Sequence, residues 1–149
     1  MSNNIAIVAW SVTAVPAFYA FLILFGAPWF TQVAETLQLA VLLTVLTAVP
    51  VAITTDARYP AAVQLIFDLI PATKAQFFAL RLTAGTLLGT WLGAFTIPLD
   101  WDRWWQVWPL PCVFGAVIGA VVGLLLAGIE QTVWPWSSRS ASTNREKAY

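Results

Sequence analysis

The sequence predicts an all-α integral membrane protein, with four transmembrane helices in an up-down-up-down bundle and an interfacial helix between spans two and three. Three observations lead there. Hydrophobic residues make up 60% of the 149-residue chain, against about 45–50% in an ordinary soluble domain, and the mean hydropathy is +0.78. Charged residues are only 9% of the total, and they fall between long uncharged runs. Those runs are joined by short segments, which makes consecutive spans antiparallel neighbours.

The first run, 5–26, carries no charge over 22 residues. As a helix it is about 33 Å long, matching a bilayer core of about 30 Å. The preceding "MSNN" lacks the positive charge that opens a signal peptide, so this stretch reads as a span. Pro16 at its middle is expected to kink it. In "GAPWFTQVAE", Pro28 and Trp29 read as a turn at the membrane surface, and Glu35 as a first-turn residue of span two, 33–53, with Pro50 near its far end.

Within "TTDARYPAAVQLIFDLIPATKAQ" the apolar stretch 61–70 is too short to cross. Gln64 and Asp68 stand four apart on one face, so a helix lying flat in the interface is expected. Spans three and four are expected at about 77–97 and 109–130, completing a single membrane domain over 1–136. The tail 137–149, "SSRSASTNREKAY", has no core-forming pattern and reads as disordered, and no ER-retrieval or lipidation motif ends it.

Four spans put both termini and the second loop on one side, together with Arg58, Lys74, Arg139, Arg145 and Lys147, and with Arg81 near its edge. The opposite side carries only Arg103, so the positive-inside rule predicts cytosolic termini. Seven basic and seven acidic residues cancel, leaving no field to attract nucleic acid. The chain has no histidine and one cysteine, Cys112, inside an apolar run. Intramolecular disulfides, Cys/His zinc sites and His-based triads are thereby excluded, and Cys112 is expected to be a small buried hydrophobe. No cofactor and no metal are expected.

Two features carry more information. Gly85, Gly89 and Gly93 repeat every fourth residue in span three, and Gly115, Gly119 and Gly123 do so in span four. Each set stays close to one helical face and lets another backbone approach. The two helices would pack on each other, or a ladder would dock a partner's helix, or a lipid would lie in the groove. Between the ladders stands "IPLDWDRWWQVWP", Ile97 to Pro109, with Trp101, Trp104, Trp105 and Trp108. Read alone it is an aromatic belt at a membrane surface, with Pro98, Pro109 and Pro111 stopping and restarting the helices.

The stretch "GTWLGAFTIPLDWDRWWQVWP", Gly89 to Pro109, closely resembles the signature of the PIG-F family, roughly G-x-W-x-G-A-x-P-I-P-L-D-W-[DE]-R-P-W-Q-x-W-P. "LFGAP" from Leu24 to Pro28, Glu35, Thr36 and "LTAVP" from Leu46 to Pro50 also look like the family, extending the resemblance to about Leu126. Thr96 and Trp104 depart from it, standing where the pattern has proline. Family members have about six spans, and this chain resembles the last four.

The resemblance implies a non-catalytic subunit of the endoplasmic reticulum membrane that binds and stabilises a GPI ethanolamine phosphate transferase. The partner would be a large multi-spanning enzyme whose catalytic domain faces the lumen, the side on which the tryptophan loop is expected. Such transferases rely on paired metals held by Asp and His. Here the only close carboxylate pair is Asp100 and Asp102, so the chain is not expected to be an enzyme.

The candidate contacts to the partner or to lipid headgroups are Asp100, Trp101, Asp102, Arg103, Trp105, Gln106 and Trp108; the six ladder glycines are the helix-packing residues. An alternative is direct handling of a lipid or phosphoethanolamine substrate. Arg103 would hold a phosphate, and Asp100, Asp102 and a tryptophan face would hold the ammonium. Arg103 would otherwise pair with Asp100 or Asp102 and close a surface turn. A small transporter is a third reading. It needs polar residues along a path, and Arg81, the one charge that comes close, is accounted for by snorkelling to the edge.

Overall fold

The computed structural model describes residues 3–28, 30–99 and 103–133; the tail and the disorder expected of it lie outside the described residues. Every regular element among them is helical. Helix α1 runs Asn3–Leu24 and continues through Pro16. It stops at Gly26, whose φ of 95° is the left-handed conformation that glycine adopts freely. There the Ala27 N–H donates to the Leu22 carbonyl at 3.0 Å and the Gly26 N–H to Ile23 at 3.0 Å, closing the helix end.

Helix α2, Val33–Thr54, has a wide π turn over Thr44–Ala48. Pro50 follows it, and its ring has no N–H for the Leu46 carbonyl and would press on that group in a regular helix. The π turn opens the backbone at that place. Thr44 and Thr47 donate their hydroxyls back to the Ala40 and Leu43 carbonyls at 2.9 and 2.6 Å, so they line no polar path.

Helix α3 covers Tyr59–Phe67, earlier at both ends than the stretch 61–70 read from the apolar pattern. Leu69 takes a φ of 55° and Pro71 restricts Ile70, so the helix stops before them. Asp68 becomes its C-cap, donating its N–H to the Gln64 carbonyl at 3.1 Å.

Helix α4, Lys74–Phe95, begins three residues before the expected start at 77 because "TKAQ" forms a reciprocal cap. The Gln76 N–H donates to the Thr73 hydroxyl at 3.2 Å and the Ala72 N–H to Gln76 Oε1 at 2.7 Å. Gln76 Nε2 also donates to the Thr54 carbonyl at 3.1 Å, tying the start of α4 to the end of α2. Helix α5 is Leu110–Val133.

Three helices, α1, α2 and α5, are long and apolar enough to cross a membrane. Helix α4 matches them in length at 22 residues, but Lys74, Gln76 and Arg81 and three glycines make it less apolar. The main core forms where α2 meets α5 and the end of α1: Leu39, Ala40, Leu43, Cys112 and Ala116 are buried together with Leu22 and Ala27. A smaller cluster of Val51, Ala62 and Leu65 holds α3 against α2. Small side chains dominate, as expected where close backbone approach rather than water exclusion holds helices together.

Candidate functional site: a tryptophan loop on a glycine hairpin

The two glycine ladders face one another across the α4–α5 contact. A Cβ added at Gly85 would strike the Gly119 carbonyl, one at Gly89 the Gly115 carbonyl, and one at Gly93 the Pro111 carbonyl. The reverse holds for Gly115 against Gly89, Gly119 against Gly85, and Gly123 against Arg81. The residue numbers rise on one helix as they fall on the other, so the pair is an antiparallel hairpin in backbone contact. Gly128, outside the ladder, has open space where its Cβ would be.

At the far end of this hairpin Arg81 pairs with Glu130, Nη2 to Oε2 at 2.7 Å, and its guanidinium lies 5.4 Å from the centre of the Phe77 ring. Snorkelling alone therefore does not account for Arg81. Glu130 lies 49 residues away, and nothing local in the sequence joins the two.

At the near end the tryptophan loop is folded around Gln106. Residues Trp104–Gln106 form a 3-10 turn. The side-chain amide of Gln106 donates to the Thr96 and Leu99 carbonyls at 3.0 and 2.5 Å. Its Oε1 accepts the Arg103 N–H at 3.0 Å, and its own N–H donates to the Arg103 carbonyl at 3.0 Å. One side chain thus satisfies backbone groups on both sides of the turn. Trp108 is half-buried, and its indole Nε1 donates to the hydroxyl of Thr36 at 3.1 Å. Thr36 is fully buried and donates its own hydroxyl hydrogen to the Gln32 carbonyl at 2.9 Å. The loop after α4 is thereby fastened to the first turn of α2, which brings together two stretches quoted separately for the family resemblance.

Of the candidate residues, Arg103 is exposed, Trp105 and Gln106 are half-buried, and Trp108 turns inward. Trp104, which the candidate set omits, is 76% exposed and is the most open of the described tryptophans of the loop. Asp100, Trp101 and Asp102 lie outside the described residues, as does Trp29 of the expected turn. Only the family resemblance marks Thr36 in the sequence, and its bond to Trp108 spans 72 positions, beyond any local pattern.

Helices this apolar, joined by a glycine-packed hairpin whose tip is an aromatic loop, define a polytopic α-helical membrane protein. The model of the GPI biosynthesis protein family Pig-F matches residues 1–128, and the chain belongs to that family. It is 38% identical over 106 residues to a mouse protein named GPI ethanolamine phosphate transferase, stabilizing subunit, covering 70% of this chain and 48% of that one. The human protein of the same name is 37% identical over 112 residues, covering 74% and 51%. Glycosylphosphatidylinositol anchor biosynthesis protein 11 of Pyricularia oryzae is 35% identical over 113 residues, covering 76% and 41%. The chain spans about half the length of these curated relatives. No solved structure matches it.

Proposed function

We propose that the chain is a non-catalytic membrane subunit that binds and stabilises a GPI ethanolamine phosphate transferase in GPI-anchor synthesis. The observation that carries this reading is the family match over residues 1–128, with relatives named as the stabilizing subunit of that enzyme. A chain with no histidine also lacks the usual means of building a two-metal phosphotransfer site.

In this reading the protein is a four-span bundle of the endoplasmic reticulum membrane with an interfacial α3. Helix α4 serves as span three, supported by its length and by its backbone contact with α5 along the whole glycine ladder. Arg58 and Lys74 stand with the termini, which favours a cytosolic location for that side and a lumenal one for the tryptophan loop.

The hairpin holds the loop, Gln106 and Trp108 set its shape, and the residues turned outward, Arg103 and Trp104 among them, meet the partner. Tryptophan and arginine are the side chains that most often carry binding energy at protein interfaces. Isolation of the chain from its native membrane and identification of the co-isolating proteins tests the proposal. A large multi-spanning ethanolamine phosphate transferase is expected, and its consistent absence from a folded preparation would overturn it. Substrate handling by the loop makes a different prediction. Asp102→Asn would then abolish transfer in an intact complex, whereas a docking loop leaves the activity of the assembled complex near wild type.

A further inference from the structure

Helix α2 is fastened at its two ends to different parts of the molecule. Its upper half holds the tryptophan loop, with the Trp108 indole on the Thr36 hydroxyl, and its lower end is tied to the start of α4, with Gln76 Nε2 on the Thr54 carbonyl. The π turn over Thr44–Ala48 lies between these ties, and there the Val49 N–H donates to the Thr44 carbonyl, five residues back instead of four.

The phase of the two halves shows what that turn does. Thr36, Leu39, Ala40 and Leu43 are the buried residues of the upper half, and Val51 and Ala52 those of the lower half. Both stripes face the α4–α5 hairpin. Leu39, Ala40 and Leu43 are buried together with Cys112 and Ala116 of α5, whereas Val51 belongs to a cluster on which Leu80 of α4 packs. At about 100° per residue, a regular helix would set the centre of the lower stripe about 120° round from the upper one, and one half of α2 would turn away from the hairpin. The π turn absorbs one extra residue and takes out about 100°. The two stripes return nearly to line, and Thr44 and Thr47 stay buried between them. Pro50 holds the extra residue at this place, because a regular turn would press its ring on the Leu46 carbonyl.

With the lower half fixed by Gln76 and the Val51 cluster, the direction in which Thr36 points depends on the residue absorbed in the turn. A shift of phase by one residue would bring Leu37 to the place of Thr36, and a leucine side chain offers the indole no acceptor. We infer that the π turn of α2 is a phase-setting latch for the tryptophan loop: it aims Thr36 at Trp108, and a change in its phase releases the loop from the helices beneath it. The latch concerns how the loop is held, and it stands independently of the partner proposed for the loop.

The test compares full-length chains in phosphatidylcholine nanodiscs by hydrogen exchange of the Trp108 indole N–H, whose NMR signal is identified by its loss in Trp108→Phe. Deletion of Val45, which is 54% exposed, combined with Pro50→Ala removes both the extra residue and the ring that requires it. That α2 is a regular helix with its stripes in phase, so the indole is expected to exchange at the wild-type rate although a residue is missing from the middle of the helix. An alanine inserted after Val45 brings Leu37 to Trp108 instead, and exchange is expected to be about tenfold faster, as for loss of one buried hydrogen bond. Fast indole exchange in the deletion chain, or failure of that chain to accumulate where the wild type does, would overturn the inference. So would an indole that stays protected in the insertion chain.

Discussion

Two side chains, Trp108 and Gln106, convert a run of aromatic residues into a shaped loop, and each does so through hydrogen bonds that its neighbours in sequence do not announce. The Trp108 indole can only donate, and in a half-buried position it needs an acceptor, which Thr36 provides. Thr36→Val keeps the volume and removes that acceptor. A loss of about 1–3 kcal/mol is expected, read as a lower melting midpoint of the purified protein. Trp108→Phe should cost a similar amount, and the double variant should cost less than the two combined because both remove the same bond. Gln106→Leu leaves the Arg103 N–H and the Thr96 and Leu99 carbonyls without their partner. Greater protease sensitivity in the loop, with the helices intact, is the expected readout.

Among the helices, the three that are long and apolar enough to cross a membrane, α1, α2 and α5, are legible because an uncharged run of about twenty residues has few alternatives in a chain of this composition. The ends were less so. Residue 77 as the start of α4 misses the Thr73–Gln76 cap, although "TKAQ" is a local signal for it. The end of α3 at Phe67 depends on the backbone turn at Leu69, a conformation that a leucine does not advertise. Glycine spacing showed that a close approach was possible, but not which of three occupants would make it; the opposed carbonyls put α4 and α5 on each other.

That register makes a sharp contrast among alanine substitutions. Gly89→Ala and Gly119→Ala each drive a methyl into a backbone carbonyl that cannot swing aside, and a loss of several kcal/mol or failure to accumulate is expected, as for overpacked cores. Gly128→Ala meets nothing and gains helix propensity of about 1 kcal/mol, so its melting midpoint should hold or rise. Breaking the Arg81–Glu130 pair with Glu130→Gln should cost no more than about 1 kcal/mol, since both side chains are partly exposed.

Across the whole molecule, the hairpin of α4 and α5, in backbone contact along its glycines and fastened to α2 through Trp108 and Thr36, carries the tryptophan loop at its tip. The family was legible from the loop motif, because its tryptophans, prolines and charges are unusual in such an apolar chain. The role of the individual loop residues was not, since composition does not tell a side chain that shapes a loop from one that meets a partner. The structure separates Gln106 and Trp108, turned onto the protein itself, from Arg103 and Trp104, turned away. The decisive measurement therefore compares the wild-type chain with Arg103→Ala/Trp104→Ala, which leaves Gln106 and Trp108 in place, by the amount of ethanolamine phosphate transferase that co-isolates from the membrane. The account predicts a fall of about tenfold or more, as for loss of interface hot spots worth about 2 kcal/mol, at an unchanged melting midpoint of the variant itself. Wild-type recovery of the transferase with the folded variant would contradict it.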